Sequence, residues 1–104
     1  MTYLLGHELT HRLQETAPEA YARFREAVRS EAEKEARGLY ELYRGEGIEM
    51  DYAGALDEAT ANCAGRLLQD GRVLDEFIER HRTDRSMLEK LLEAIRGLIS
   101  KLTG

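Results

Sequence analysis

Residues 85–102, RSMLEKLLEAIRGLISKL, carry the most regular apolar pattern in the chain. Apolar side chains recur there at every third or fourth position, the spacing that places them on one side of an α-helix. These residues are Met87, Leu88, Leu91, Leu92, Ile95, Leu98, Ile99 and Leu102. The pattern predicts a helix over residues 84–102 that buries one face, with Asp84 and Ser86 as candidate caps at its start.

The rest of the chain is also predicted to be helical, with few residues that would end a helix. Pro18 is the only proline, and glycines stand close together at Gly45 and Gly47 and again at Gly71. Glycine and proline mark helix ends, so these positions predict about five helices. We place them at residues 2–16, 18–43, 52–69, 71–81 and 84–102. A short strand or hairpin fits only residues 45–51, so the expected fold is all-α or nearly so.

Composition limits the class of protein. The chain has 104 residues, which suffice for one domain with a modest core. Its 20 acidic and 15 basic residues give a net charge of -5, and the basic residues are interspersed with acidic ones. We therefore predict no nucleic-acid partner. No apolar run has the length of a membrane span, and Cys63 is the only cysteine, which excludes an internal disulfide.

A short motif near the start of the chain indicates chemistry. Residues 7–11 read HELTH, an HExxH motif inside a predicted helix. His7 and His11 lie one turn apart on the same helical face, so both imidazoles can bind one zinc ion. Glu8 is rotated from His7 by about 100°. We therefore assign Glu8 as the general base that takes a proton from a zinc-bound water, and not as a ligand.

A catalytic zinc ion needs a third protein ligand. Gln14 and Ala17 stand where one HExxH family, the metzincins, has glycine and histidine, so that family is excluded. Our candidate is Glu58 on the helix over residues 52–69. Its helical face is made mostly of small residues, which would let this helix approach the HExxH helix closely. The neighbours on that face are Gly54, Ala55, Ala61, Asn62 and Gly65.

Two neighbours of Glu58 have predicted supporting roles. Asn62 lies one turn after Glu58, where its amide can accept a hydrogen bond from a ligand imidazole. Asp57 is adjacent to Glu58 and therefore points about 100° away around the helix. We expect Asp57 to influence the metal only indirectly.

The chain resembles the gluzincin branch of the zincin metallopeptidases through His7, Glu8, His11, Glu58 and Asn62. It is also similar to zincin-like domains of large phage and integrative-element proteins of Firmicutes. The segments that carry this likeness are residues 5–13, 17–21, 57–63 and 88–102. The resemblance implies zinc as the cofactor, peptide-bond hydrolysis as the reaction and a peptide or protein as the substrate. It also implies a bacterial or phage-associated protein, and the composition favours the reducing cytoplasmic compartment.

Two parts of a complete zincin have no counterpart here. Only six residues precede His7, which leaves no room for the β-sheet on which zincins usually align their substrate. We therefore expect residues 1–104 to be one zincin-like domain from a larger protein. The group that stabilises the oxyanion is also not evident. Tyr3, Tyr52 and His81 are the candidates, of which we retain His81.

Two classes of function stay open. The first is a zinc peptidase that uses His7, His11 and Glu58 as ligands, or a regulatory form of it that cleaves one repressor. The second is a noncatalytic helical module, in which zinc is structural or absent and the last helix is the docking surface. An intact Glu8 favours the first class, and the missing sheet favours the second.

Overall fold

A computed structural model describes the backbone of residues 2–103 and the side chains of residues 4–101. Those residues form six α-helices and no strand, which confirms the all-helical class. Tyr3 and Leu102, named above, have side chains outside this described part. The helices are α1 (Thr2–Thr16), α2 (Pro18–Ala27), α3 (Arg29–Gly45), α4 (Tyr52–Gln69), α5 (Gly71–Arg80) and α6 (Arg85–Thr103).

The extra helix arises from a break at Val28. The sequence predicts one helix over residues 18–43, but Val28 has φ -98° and ψ 4°, outside the regular helical range. The two halves pack against different partners, since α2 lies mainly against α6 and α1 whereas α3 lies against α4. Bending at Val28 lets each half bury its own apolar residues, such as Phe24 in α2 and Ala36 in α3.

The segment between α3 and α4 forms a turn, with no strand among its described residues. Gly47 adopts φ +75°, a conformation that glycine tolerates best, and the Ile48 N–H donates to the Tyr43 carbonyl at 2.8 Å. The Asp51 carboxylate then caps α4 by accepting the Gly54 N–H at 2.7 Å. The turn reverses the chain and returns α4 along α3.

Helix α4 lies at the centre of the fold, in contact with α1, α3 and α5. Small residues supply most of its buried surface, so neighbouring backbones come close to it. One such close approach is at Gly6 of α1, which faces the backbone of Ala61 and Gly65. The buried residues of α4 are Ala55, Ala59, Thr60, Ala61, Cys63, Ala64, Gly65 and Leu67.

Helix α6 closes the core from the other side. The Asp84 carboxylate accepts the Met87 N–H at 3.2 Å and so caps the helix, as predicted. Asp84 also forms an ion pair with Arg23 of α2 at 3.1 Å. Most of the predicted apolar stripe is buried, although Ile99 is 51 % exposed. Within the described residues, no helix has the length and apolar character needed to cross a membrane.

Candidate metal and catalytic site

Helix α1 separates the HExxH motif into a buried and an exposed side. Leu9 and Leu13 have no exposed surface and belong to the core. His7, Glu8 and His11 are exposed on the other side of the helix. The packing of the leucines therefore fixes the rotation of α1 and turns both imidazoles toward the protein surface.

Both histidines line one surface pocket of about 250 Å³ between α1, α2 and α4. The walls contain two imidazoles, one carboxylate, one guanidinium, one phenol and two neutral polar groups. The lining residues are His7, Thr10, His11, Gln14, Tyr21, Arg25 and Asp57. The motif thus opens onto a polar pocket with an acidic side chain from α4.

Local contacts position the two histidine-bearing turns. The Thr10 hydroxyl donates a hydrogen bond to the His7 carbonyl at 3.0 Å. The buried Thr10 side chain therefore has its hydrogen-bond partner within the same helix. His11 Nε2 lies 3.2 Å from Glu15 Oε1, and both side chains are mostly exposed. A proton on Nε2 that is donated to Glu15 would leave Nδ1 as the nitrogen able to bind a metal ion.

Glu8 occupies a different edge of α1 and does not line the pocket. Its Oε2 lies 4.0 Å from Nζ of Lys101 in α6, and the two side chains are 56 % and 67 % exposed. Ion pairs this exposed contribute about 0–1 kcal/mol. Little free energy therefore opposes rotation of Glu8 away from Lys101.

The two adjacent carboxylates of α4 have different surroundings. Asp57 is exposed and lines the pocket of His7 and His11, whereas Glu58 is not among the lining residues. Glu58 is half-buried, and its Oε2 is inaccessible and without a hydrogen-bond partner among the described residues. The structure therefore brings Asp57, and not Glu58, into the histidine pocket.

Asn62 faces α3 in this structure. Its amide nitrogen lies 3.5 Å from Glu35 Oε1, and Arg66 reaches the same carboxylate at 3.3 Å. Arg66 also contacts the Cys63 sulfur at 3.2 Å. Cys63 is buried, and this burial raises the pKa of its thiol. These residues make a polar contact between α3 and α4 that is separate from the histidine pocket.

His81 is likewise separate from the pocket. It follows the last residue of α5, where its N–H donates to the Phe77 carbonyl at 3.0 Å. Its ring lies against the Phe77 ring with centroids 4.5 Å apart. These contacts place His81 at the end of α5, and it does not line the pocket that contains His7 and His11.

Tyr21 and Arg25 are pocket residues that the sequence analysis did not select. Tyr21 is spaced along the chain like Phe24 and Val28, a pattern typical of the apolar face of a helix. Burial is the main cause that raises the pKa of Tyr21, and nearby Asp57 raises it further while Arg25 lowers it. The Arg25 guanidinium lies 5.9 Å from the Tyr21 ring centre. Tyr21 therefore keeps its proton at neutral pH and can donate it in a hydrogen bond.

The donor set of the pocket suits zinc, which binds imidazole nitrogen and carboxylate oxygen. As the side chains stand, no three His, Cys, Asp or Glu residues in the described part of the chain are arranged to hold a metal ion. Metal binding would therefore require surface side chains to change rotamer. His7, His11 and Asp57 are all exposed, so such changes need not disturb the core.

Comparisons of the chain with protein-family models, curated proteins and solved structures give no match.

Proposed function

We propose that this chain is a zinc-dependent metallopeptidase-like domain in which His7 and His11 bind zinc. The observation that carries the proposal is the shared pocket. Two imidazoles from adjoining turns of α1 open onto the same surface cavity as a carboxylate from α4. The HExxH spacing supports the same function, because it supplies a general base beside the two ligands.

Each residue of the motif has a separate task in this proposal. His7 and His11 hold the ion, which when bound would lower the pKa of a water molecule and polarise a peptide carbonyl. Glu8 is the general base in this proposal: turned from Lys101 toward the pocket, its carboxylate would take the proton of the attacking water and pass it to the leaving amine. A carboxylate of α4 completes the ligand set, and Glu58 is the residue assigned from the sequence. Tyr21 can donate a hydrogen bond to developing negative charge, the role first given to His81.

The proposed substrate is a peptide or a protein. The proposed location of the chain is the bacterial cytoplasm. Zincins align an extended substrate along a strand, and the described residues contain none. We therefore propose that this chain alone hydrolyses peptides slowly or not at all.

A noncatalytic helical module is the second candidate. The position of the Glu8 carboxylate favours this second candidate, because it lies beside Lys101 and outside the histidine pocket. The docking surface first considered for that class, the apolar stripe of α6, is largely used within the fold. Met87, Leu91 and Leu98 of that stripe are almost completely buried.

Metal analysis of the purified chain tests the proposal. After reconstitution at neutral pH we expect one zinc per chain, lost in His7→Ala and in His11→Ala with helical content retained. His81→Ala is the matched control, because it removes the only other histidine and should keep the zinc. Binding should weaken below about pH 6, where histidine becomes protonated. A wild-type chain without zinc would contradict the proposal.

A further inference from the structure

Helix α4 presents two consecutive carboxylates, Asp57 and Glu58, and geometry allows only one of them to face the histidine pocket. Neighbours on a helix diverge by about 100°, so the rotation of α4 decides which one does. That rotation is set by the backbone contact of Gly6 with Ala61 and Gly65. The packing of α4 against α1 therefore determines which of the two carboxylates faces the pocket, and this packing involves no metal ligand.

On one flank of this contact lies Asp57. It lines the same pocket as His7 and His11. Its side chain is exposed, so it can turn toward the histidines without leaving a cavity. The pocket also contains Arg25, whose positive charge opposes a bound cation, and Asp57 is the anionic group that offsets this charge.

On the other flank lies Glu58. Residue 62 is one turn further along the same helical face, and the Asn62 amide lies 3.5 Å from Glu35 of α3. One carboxylate oxygen of Glu58, Oε2, is inaccessible to solvent and has no hydrogen-bond partner among the described residues. Glu58 does not line the pocket that contains His7 and His11.

We infer that Asp57, and not Glu58, is the carboxylate that completes the zinc site with His7 and His11. The inference rests on the proposed function, since it presupposes that the two histidines bind zinc. The site would form when these three exposed side chains turn into the pocket between α1 and α4. Two imidazoles and one carboxylate would leave a fourth position open for water, as a catalytic zinc site requires.

The test is the zinc affinity of matched variants, measured by competition with a chromophoric chelator. We expect Asp57→Ala and Asp57→Asn to weaken binding by about 100-fold or more, because each removes a ligand. For comparison, mutation of a residue that only hydrogen-bonds a metal ligand typically lowers metal affinity by roughly 10–100-fold. Glu58→Ala and Glu58→Gln should weaken binding by about tenfold at most. Circular dichroism checks that every variant is folded, and Asp57→Asn keeps the shape of the side chain should Asp57→Ala fail to fold.

The outcomes separate this inference from the proposed function. If Glu58→Gln is the crippling change and Asp57→Asn is mild, the inference is wrong and the zinc proposal stands. If both carboxylate variants are mild while His7→Ala abolishes binding, the inference is again wrong, since a two-histidine site then suffices. If the wild-type chain binds no zinc, or His7→Ala binds it normally, the proposed function itself fails.

Discussion

Gly6 of α1 lies directly against the backbone carbonyl of Ala61 in α4. A Cβ atom placed on Gly6 would collide with that carbonyl and stand 2.7 Å from the Gly65 nitrogen. Both obstacles are backbone atoms, which cannot turn aside as a side chain can. This contact sets the distance between α1 and α4 and thereby the shape of the histidine pocket.

Gly6→Ala should therefore destabilise the fold strongly. Overpacking a well-filled contact costs about 1–3 kcal/mol, and we expect about 3 kcal/mol or more here because two helices must separate. Urea unfolding followed by circular dichroism measures the loss. Gly38→Ala is the matched control, since Gly38 lies inside α3 with open space around it. Alanine there should stabilise by about 0.5–1 kcal/mol, and an equal effect of both substitutions would contradict the packing argument.

Glu8→Gln should separate proton transfer from metal binding. The amide cannot act as a base, so hydrolysis should be abolished in any preparation of this domain that is active. Zinc affinity should stay within about tenfold of wild type, because Glu8 is not a ligand. Lys101→Ala is the companion variant. It removes only the exposed ion pair with Glu8 and should change stability by about 1 kcal/mol at most. Loss of zinc in Glu8→Gln would show that Glu8 is a ligand after all.

Stability should fall in alkaline solution. Burial raises the pKa of Cys63 above its ordinary 9.0 and that of Tyr21 above its ordinary 10.0. The folded chain therefore holds these protons more tightly than the unfolded chain does. This stabilisation is complete below about pH 9 and is lost as the pH rises through the folded-state pKa values.

Urea midpoints measured from neutral pH to about pH 11 check this dependence, which we expect to decrease above about pH 9. A double variant, Cys63→Ala with Tyr21→Phe, lacks both groups and should show a smaller decrease. A wild-type midpoint that is constant or rises above about pH 9 would contradict the expectation.

Phe24→Ala should be among the most damaging substitutions in the core. The side chain has no exposed surface, and its ring centre lies 5.7 Å from that of Phe77, which links α2 to α5. Removing a buried phenylalanine costs about 3–5 kcal/mol. Leu42→Ala is the control, since Leu42 is 55 % exposed and should change stability by about 0.5 kcal/mol or less. Thermal or urea unfolding of both variants distinguishes these values.

Most of the helical architecture is readable from local pattern. The apolar spacing of residues 84–102 and the breaks near Gly45 and Gly71 correspond to helix boundaries in the structure. The break at Val28 is not readable in this way, because residues on both sides have good helical spacing. It depends on α2 and α3 packing against different helices, which is a long-range property.

The candidate site also has one part that follows from local sequence and one part that depends on long-range packing. The sequence by itself determined that His7 and His11 share a face of α1 opposite Leu9, because that relation depends only on spacing within one helix. Only the tertiary structure decided that Asp57 shares their pocket while Asn62 meets Glu35. The physical reason is that the rotation of α4 about its own axis is fixed by its contacts with α1 and α3, which no local pattern encodes.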